Sequence, residues 1–561
     1  MRSCNDPDMS VMIHELAAYQ NAFQPKYKPR HVIPHDPDEL MVEMMKALPS
    51  GFLFGILQAR YISNWETIWR VLHIGTFMKE CDQIAQIRDS GSFTLLPHIQ
   101  DCVVPQILAM LSAASRLSDP NDRSSTTETV SDEQTSKNCQ MVKAWLDGLH
   151  GKALVNLHTL QTRTLLLLAR QANLATPSEL WVESGILVRN AMIMGLHQDP
   201  EPWDAIPKFD KELRRKLWIT IVELDLQFSL GAGMPSALSS SAFTMRELVN
   251  VDDHDLSEDM TEYPASKPLT VWTHALPQIA LGASLRHRLH IINMLGGNLN
   301  LERDAQMLLQ QAAILEKALV SLPTQFRPST RAGNSSNKRL YRLFTSIMID
   351  VSIRRPLMTL YRVISMSSLS SRYPEARKGA LRCALAILSH LDALDPSVAD
   401  LNIVKTRDYL NLFHILRKSD ILQSALILCY EIKSYNSRSP TSDDEPHEQE
   451  DEFPHTQYSL TRVVENTLNS LIGRLGEFGS DLKDILPVAV AVQSVRSDGT
   501  LEEKNGLMKR GAERVLDACR RVRPDVSARH KLGLEQNGNK SDSIREDNQV
   551  SSSLFSYSSV V

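Results

Sequence analysis

Apolar residues recur at steps of three and four positions along most of the 561-residue chain. This period places them on one face of an α-helix, whereas few stretches alternate between apolar and polar residues as a β-strand does. The pattern therefore predicts an all-α fold, a large multi-helix domain with disordered inserts and a disordered C-terminal tail. The length exceeds that of a typical single domain, which favours one large helical layer or two fused ones.

Three polar stretches interrupt the helical pattern, and they guide the predicted domain boundaries. Each contains too few apolar side chains to bury a core of its own, so we expect them to be flexible. The predicted segments are an N-terminal linker over residues 1–39, a main helical domain over 40–435 with a flexible insert at 118–138, a disordered acidic insert over 436–457, C-terminal helices over 458–534 and a disordered tail over 535–561.

Two consecutive helices can be bounded from the residues at their ends. The segment Thr176–Glu179 has the order of a capping box, with Thr as the N-cap, Pro at the first helical position and Glu three residues after the cap. A helix is predicted to start there and to end at Gly195. Asp210 is expected to cap the next helix, which should end near Gly233 and Pro235.

Composition and charge exclude several classes of function. The 61 basic and 66 acidic residues give a net charge of −5, which provides no general attraction to a phosphate backbone. The seven cysteines form no C-x-x-C pair, so we predict buried thiols and no zinc site. No stretch reaches the ~18 apolar residues that a membrane-spanning helix needs. These features predict a protein of the cytosol or the nucleus.

Motifs of common enzyme classes are absent from the sequence. It lacks G-x-S-x-G, the phosphate loop, H-E-x-x-H and a dinucleotide fingerprint. His31 and His35 are separated by Pro34, which breaks the helix that would align them as metal ligands. We therefore predict that the chain is not an enzyme and that it holds no cofactor or metal.

An ordered set of short motifs runs through the middle of the chain. The motifs are Leu72-His73 with Thr76-Phe77, Gly195-Leu196-His197, Phe209 to Trp218, Glu223 to Asp225, Gly233-Met234-Pro235 and Val251 to Asp253. In order and spacing this set resembles the middle homology region of fungal zinc-cluster transcription factors, over residues ~40 to ~260 and more loosely to about 435. The six-cysteine zinc cluster that the family places N-terminally is not found, because only Cys4 precedes the middle region.

The residues that carry the resemblance are expected to be structural. They are Leu72, His73, Phe77, Gly195, Leu196, His197, Glu212, Arg214, Arg215, Trp218, Asp225, Gly233, Pro235 and Asp253. Each of the two histidines stands alone near apolar sequence. We therefore interpret both as core or cap histidines, not as ligands.

The helix expected to start at Asp210 follows the proline-rich connector Pro200–Phe209 and contains several charged residues. Asp225 falls near the apolar stripe of this helix, and we expect it to be hydrogen-bonded or paired with Arg214, Arg215 or Arg189. A carboxylate left alone in the core would cost several kcal/mol. The run Lys211 to Lys216 is interpreted as a solvated basic face, since its leucines fix the helix against the core.

Three further patterns have competing interpretations. Leucines recur every seven residues from Leu301 to Leu322, but poor seam residues lie between them, so we expect packing within the chain and not a zipper. The basic residues from Lys509 to Arg523 are the better candidate for an electrostatic contact. The acidic stretch from Asp443 to Phe453 is either a small activation segment or a solvated loop.

The family resemblance implies a nuclear regulator of fungal metabolic or secondary-metabolite genes, with a helical domain that restrains or couples activation. DNA contact would need a zinc cluster missing from the gene model, or a partner that binds promoter DNA. Zinc would belong to that cluster and not to this chain. Expected partners are other transcription factors or the transcription machinery, a homo- or heterodimer included, and no membrane. The alternative is a helical scaffold or accessory protein that does not bind DNA.

Overall fold

Helices account for every regular element in the described part of the chain. The computed structural model describes residues 7–23, 31–90, 98–116, 130–239, 241–242, 244, 246–326, 336–399, 407–436, 455–497 and 499–526. The predicted all-α fold is thereby confirmed. The chain divides into two compact units, formed by the described residues of Met1–Lys28, Tyr373–Val398 and Arg417–Val561 (unit 1), and of Pro29–Arg372 and Ala399–Leu416 (unit 2).

Unit 2 contains most of the helices. They are α2 (Pro37–Lys46), α3 (Gly51–Asn64), α4 (Ile74–Ser90), α5 (His98–Ala114), α6 (Asp132–Asp147), α7 (Leu157–Ala172), α8 (Pro177–Ile193), α9 (Lys208–Ala232), α10 (Leu276–Gly282), α11 (Leu285–Gly296), α12 (Leu301–Val320) and α13 (Ser336–Ser365), with short 3-10 turns at Gly151–Val155, Asp253–Asp255 and Thr324–Phe326. Helix α15 (Asp408–Asn436) begins in unit 2 and has non-helical backbone at Arg417, where unit 1 resumes.

Helix α9 is the most deeply buried long element of unit 2. It packs against α7, α8, α10 and α11, and nearly every residue from Phe209 to Ser229 is buried. Trp218, Ile221 and Leu226 are fully enclosed, which gives the helix an apolar body. Charged residues of the same helix are buried beside them, so the unit must satisfy those charges internally.

The ends of α8 and α9 show which capping predictions hold. Thr176 and Glu179 form the predicted capping box, and Gly195 adopts a left-handed φ of 82° just after α8. Helix α9 starts earlier than predicted, because Lys208 is already helical and Asp210 lies inside the first turn. The cap position is Pro207, which makes no side-chain cap bond.

Glycines permit the sharp chain reversal that follows α9. Gly233 is the C-cap of α9, in the left-handed region at φ 68° and ψ 28°. The backbone of the next two residues then approaches Gly296 at the end of α11. A Cβ atom added to Gly296 would lie 2.5 Å from the Pro235 nitrogen and 2.8 Å from the Met234 carbonyl oxygen. The turn and α11 can therefore meet only if residue 296 has no side chain.

Helix α12 confirms the interpretation of the leucine repeat. It packs against α11 and α13 of the same unit, and Leu308 and Leu315 are fully buried there. The seven-residue spacing therefore serves contacts within unit 2.

Unit 1 joins segments that are far apart in sequence. Its helices are α1 (Pro7–Phe23), α14 (Pro374–Leu394), the later part of α15, α16 (Gln457–Ile472), α17 (Leu482–Ser494) and α18 (Leu501–Val522). Helix α18 packs on α17 and α1, and Arg520 binds both carboxylate oxygens of Glu15 at 2.9 and 2.7 Å.

Several predicted segments look different in the structure. Helix α1 lies in the range predicted as an N-terminal linker, and residues 132–138 of the predicted insert are the start of α6. In the basic segment after Lys509, Arg514 binds Glu465 at 2.7 Å and Arg523 binds Asp525. Part of its charge is thus used inside unit 1. The acidic stretch 443–453 and the tail 535–561 lie outside the described residues, and the predicted domain boundaries stay a prediction.

Cysteine placement and helix hydropathy complete the description of the fold. Cys81, Cys383, Cys429 and Cys519 are buried, while Cys102 and Cys139 are half-buried, and none of these six forms a disulfide. In the described ranges no single helix is both long and apolar enough to cross a bilayer. Only the pair α2 and α3, bent by 95°, passes by length and composition.

Replacing Gly296 by Ala tests the close approach between α11 and the turn after α9. We expect the full-length protein to lose about 1–3 kcal/mol of unfolding free energy, because the new methyl group meets backbone atoms that cannot rotate away. The control is Gly55→Ala in α3, where nothing lies within 4 Å of the added carbon. That change should be neutral or stabilise by about 0.5–1 kcal/mol. Equal melting temperatures for the two variants in thermal denaturation would contradict the packing described.

Candidate functional site

Asp253 is buried between two cations. Its Oδ1 atom accepts hydrogen bonds from Lys216 Nζ, at 2.6 Å, and from Arg70 Nη2, while Oδ2 accepts one from the Ile74 amide at 3.0 Å. The three charged side chains are at most 5% exposed. Although burial opposes the charged form, Arg70 and Lys216 hold the pKa of Asp253 well below its usual range. This carboxylate ties the start of α4 to α9.

His73 acts as a bridge beside the same residue. Its Nε2 atom lies 2.8 Å from the Asp253 carbonyl oxygen, and Nδ1 accepts from the Thr76 amide at 3.2 Å. The edge-on ring of Phe209, with centroids 5.0 Å apart, packs against the imidazole. Both ring nitrogens are therefore bonded within the protein, which is the arrangement expected of a cap histidine. Leu72 and Phe77 are buried next to it.

Glu66 supplies the neighbouring carboxylate. Its Oε1 atom accepts from the Val71 and Leu72 amides at 2.8 and 2.9 Å, and Oε2 accepts from the Tyr61 hydroxyl at 2.9 Å. The side chain is 1% exposed and lies 3.9 Å from Arg70 Nε. Burial outweighs the attraction of Arg70 and raises the pKa of Glu66 to about 8.

A second cluster surrounds Arg215 of α9. Its Nη2 atom binds Asp199 and Glu201, each at 2.6 Å, and Nη1 donates to the Tyr263 hydroxyl at 3.1 Å. Glu212 Oε2 lies 3.4 Å from Arg215 Nη1. Its other oxygen, Oε1, accepts a hydrogen bond from the Val249 amide at 3.1 Å. Burial alone would lower the pKa of Arg215, but these partners raise it. The cluster joins the connector before α9 to the segment that follows the turn.

Asp225 is buried as predicted, but its partners are not arginines. Oδ1 accepts from Ser184 Oγ of α8 at 2.8 Å, and Oδ2 accepts from Ser236 Oγ at 2.6 Å and the Ala237 amide at 2.9 Å. Burial raises the pKa of Asp225, and these hydrogen bonds oppose the rise. Asp225 thus holds the turn after α9 against α8. The same turn accepts from Trp181 Nε1 through the Pro235 carbonyl, at 2.9 Å.

The arginines proposed for Asp225 bind elsewhere. Arg214 Nη1 lies 3.4 Å from the Met194 carbonyl oxygen, and Arg189 Nη1 donates to the Gly185 carbonyl at 2.9 Å. Arg189 contributes to Asp225 only through its charge. Serine hydroxyls reach Asp225 because the turn folds back over α9, a tertiary contact that helix spacing does not reveal.

The run Lys211 to Lys216 is not the solvated basic face that the sequence suggested. Lys211, Arg215 and Lys216 are buried, and Lys211 Nζ donates to the Glu201 carbonyl at 2.9 Å. The prediction failed because α9 is enclosed on all sides, so its basic residues meet acidic partners from the loops. The burial of these basic residues depends on where their acidic partners lie in the fold, which the sequence of the run does not reveal.

The remaining signature residues pack around the start of α9. Leu196 is buried, and the ring of His197 is tilted against Trp218 with centroids 6.3 Å apart. The His197 carbonyl accepts from the Thr244 amide at 3.2 Å. A side chain at Gly195 would approach Trp203, at 3.8 Å, besides straining the backbone.

Other buried charged residues were missed by the sequence analysis. Arg70 was not singled out, and neither was Arg288, which binds both oxygens of Glu223 at 2.8 Å. Gln227 donates to Glu223 at 2.7 Å and accepts from Arg355. A sequence signal for such residues does exist: a single charged residue within an apolar run, such as Arg70 after Ile68 and Trp69, indicates a buried charge.

Three potential metal ligands also meet near Asp253. One ligand atom each from Asp252, His254 and Asp255 lies within 4.8 Å of the others. Lys267 Nζ, however, binds Asp252 at 2.9 Å and Asp255 at 2.7 Å. The ammonium group therefore already supplies the positive charge that these carboxylates require.

Comparison with known families identifies the region that holds these clusters. Residues 59–286 match the fungal specific transcription factor domain. This chain carries a fungal specific transcription factor domain. The matched range includes the clusters around Asp253, Arg215 and Asp225, whereas Arg288, the partner of Glu223, lies just beyond its end. No solved structure matches the chain.

Curated relatives of the domain are transcription factors. The chain is 28% identical to transcription factor opdR of Penicillium oxalicum over 356 residues, which cover 63% of this chain and 43% of that protein. It is 34% identical over 227 residues to the aspyridones cluster regulator apdR of Emericella nidulans, covering 39% of this chain and 30% of that protein.

A third relative carries the zinc-cluster class in its name. The Zn(2)-C6 fungal-type transcription factor mpsB of Macrophomina phaseolina is 25% identical over 222 residues, covering 38% of this chain and 29% of that protein. The chain spans about two fifths or less of the length of the curated relatives it matches.

Changing Asp253 to Asn tests the central ion-pair cluster of the domain. The substitution keeps the size of the side chain but removes the charge that Arg70 and Lys216 share, so we expect a loss of about 3–5 kcal/mol of unfolding free energy. Asp259→Asn, on an exposed carboxylate of the same loop, is the matched control and should melt like the wild type. Chemical denaturation of both variants measures the difference, and a wild-type midpoint for Asp253→Asn would sink the interpretation.

Changing Glu66 to Gln tests the pKa of about 8. Because this value lies above that of an unfolded glutamate, the native state holds a proton that the unfolded state releases. The contribution of Glu66 to the unfolding free energy is therefore fully present below about pH 4.3. It is lost as the pH rises toward 8, by at most about 1.4 kcal/mol per pH unit.

The Glu66→Gln substitution should remove this fall, whereas Glu39→Gln on the exposed face of α2 should keep it. The measurement is the unfolding free energy of each protein at intervals between pH 5 and 8. Identical slopes for wild type and Glu66→Gln would show that Glu66 is ionised throughout.

Proposed function

We propose that this protein regulates transcription of fungal secondary-metabolite genes from the nucleus, with unit 2 as its regulatory domain. The single observation that carries the proposal is the domain match over residues 59–286, which coincides with the buried charge clusters of α9. Curated relatives named as transcription factors, one of them a regulator of an aspyridones cluster, support the same reading. The proposal needs no catalysis and no cofactor in this chain.

DNA contact is proposed to come from outside the matched domain. The basic residues of α9 are used in internal pairs, and the net charge of −5 gives no general attraction to DNA. Either a zinc cluster of the kind named for mpsB or a partner transcription factor would supply the contact. Partners would then include other transcription factors or the transcription machinery, in a homo- or heterodimer.

The buried clusters support a regulatory role for the domain through their rigidity. Asp253, Arg215 and Asp225 each join α9 to a different loop, so a displacement of one loop would change the packing of α9 as well. A domain of this kind can restrain or couple activation without contacting DNA.

Chromatin immunoprecipitation from the native fungus tests the proposal. We expect the tagged full-length protein to be enriched at promoters whose transcripts change in a deletion strain. Complementation with Asp253→Asn should lower protein abundance and lose both signals, since partly unfolded protein is degraded, whereas Asp259→Asn should restore them. Absence of promoter enrichment together with unchanged transcripts would favour the helical scaffold.

A further inference from the structure

A cavity of about 400 Å³ opens beside His73 in unit 2. Residues from α4, α5, α7 and α9 and from the segment after Asp253–Asp255 form its walls. Its apolar surface includes Phe77, Leu157 and Phe209. A volume in the range of about 300–1,000 Å³ with apolar walls and a few polar groups is typical of a site for a small molecule.

The charged groups that line this cavity are all acidic. Glu80 of α4, Asp210 of α9 and Glu258 contribute carboxylates, and no lysine or arginine is among the described lining residues. Burial raises the pKa of Glu80, and the charge of Glu258 raises it further. The two carboxylates are thus close enough to repel each other, and neither forms an ion pair within the described part of the chain.

Nearby bases do not neutralise the cavity. Arg214 lies one turn beyond Asp210 and feels its charge, but it is directed to the Met194 carbonyl and does not line the cavity. His158 does line it, and burial lowers the pKa of this imidazole, so at neutral pH it adds no positive charge. Its Nδ1 atom is buried and makes no hydrogen bond with the described residues.

Several of the remaining polar groups already have partners within the described part of the chain. Both nitrogens of His73 are bonded within the protein, and Gln106 donates to Gln161 at 3.0 Å. The hydroxyl of Thr76 donates to Glu258 Oε1 at 3.1 Å, which orients that carboxylate without neutralising it. The charged groups that remain available to a ligand are the Glu80, Glu258 and Asp210 carboxylates.

The geometry points to a binding site for a small organic cation, a protonated amine carried on an apolar or aromatic body. The ammonium group lies beside Glu80 and Glu258, where it relieves their repulsion, and the body packs on the Phe77 and Phe209 side. The inference concerns binding alone and stands whether or not the protein regulates transcription.

Three indole compounds of similar shape but different charge test the site. Tryptamine is cationic at pH 7, tryptophol is neutral and indole-3-propionate is anionic. Binding to the full-length protein is measured by isothermal titration calorimetry. We expect tryptamine to bind at least about tenfold more tightly than tryptophol, and the anion to bind more weakly still. Equal affinity for the cation and the neutral compound would overturn the proposal.

Variants at Glu80 locate the site on the protein. Glu80→Gln should weaken tryptamine binding about tenfold while leaving tryptophol binding unchanged. Glu80→Lys should abolish tryptamine binding, because the lysine ammonium takes the place of the ligand's. Glu39→Gln removes one carboxylate from the exposed face of α2 and should bind tryptamine like the wild type.

The melting temperatures of the Glu80 variants show whether a loss of binding is caused by unfolding. Glu80 is half-buried and pairs with no base in the described part of the chain, so both of its variants should melt at or above the wild-type temperature. If folded Glu80→Gln and Glu80→Lys proteins bind tryptamine as the wild type does, the cation site proposed here does not exist.

Discussion

The sharing of one buried carboxylate, that of Asp253, by Arg70 and Lys216 is the constraint on which the fold of unit 2 depends. The three residues come from the segment before α4, from α9 and from the loop after the turn. Removing buried charges from water costs several kcal/mol each, and the cost is recovered only when every partner is in place. Misplacing any one of the three segments would leave a charge unpaired. A single cluster therefore fixes the relative positions of all three.

The other clusters extend the same principle along α9. Hydrophobic contacts are not directional, so apolar packing alone defines the register of a buried helix less sharply than hydrogen-bonded charges do. Arg215 and, about two turns later, Glu223 and Asp225 face different partners, and each pair has a defined geometry. A shifted helix would break several of these pairs at once. The polar residues thus select one register for the most buried element of unit 2, and they hold the walls of the neighbouring cavity.

Local chemistry was predictable from the sequence, and long-range pairing was not. The capping box at Thr176, the exit at Gly195 and the packing of the leucine repeat follow from residues within a few turns of each other. Lys211 to Lys216 and the partners of Asp225 were misread, because solvation of a helix face depends on loops distant in sequence. The cavity beside His73 joins residues from Leu72 to Glu258, so no motif could have announced it.

The pairing of Glu15 with Arg520 has a consequence for the newly made chain. The two residues are separated by 505 positions, so α1 leaves the ribosome long before α18 exists. At about 5–20 residues per second, that interval is roughly half a minute to two minutes. During this interval α1, which includes Leu16 and Tyr19, has been synthesised but α18, the helix it packs against, has not. Unit 1 therefore cannot complete this contact until nearly all of the given sequence has been synthesised.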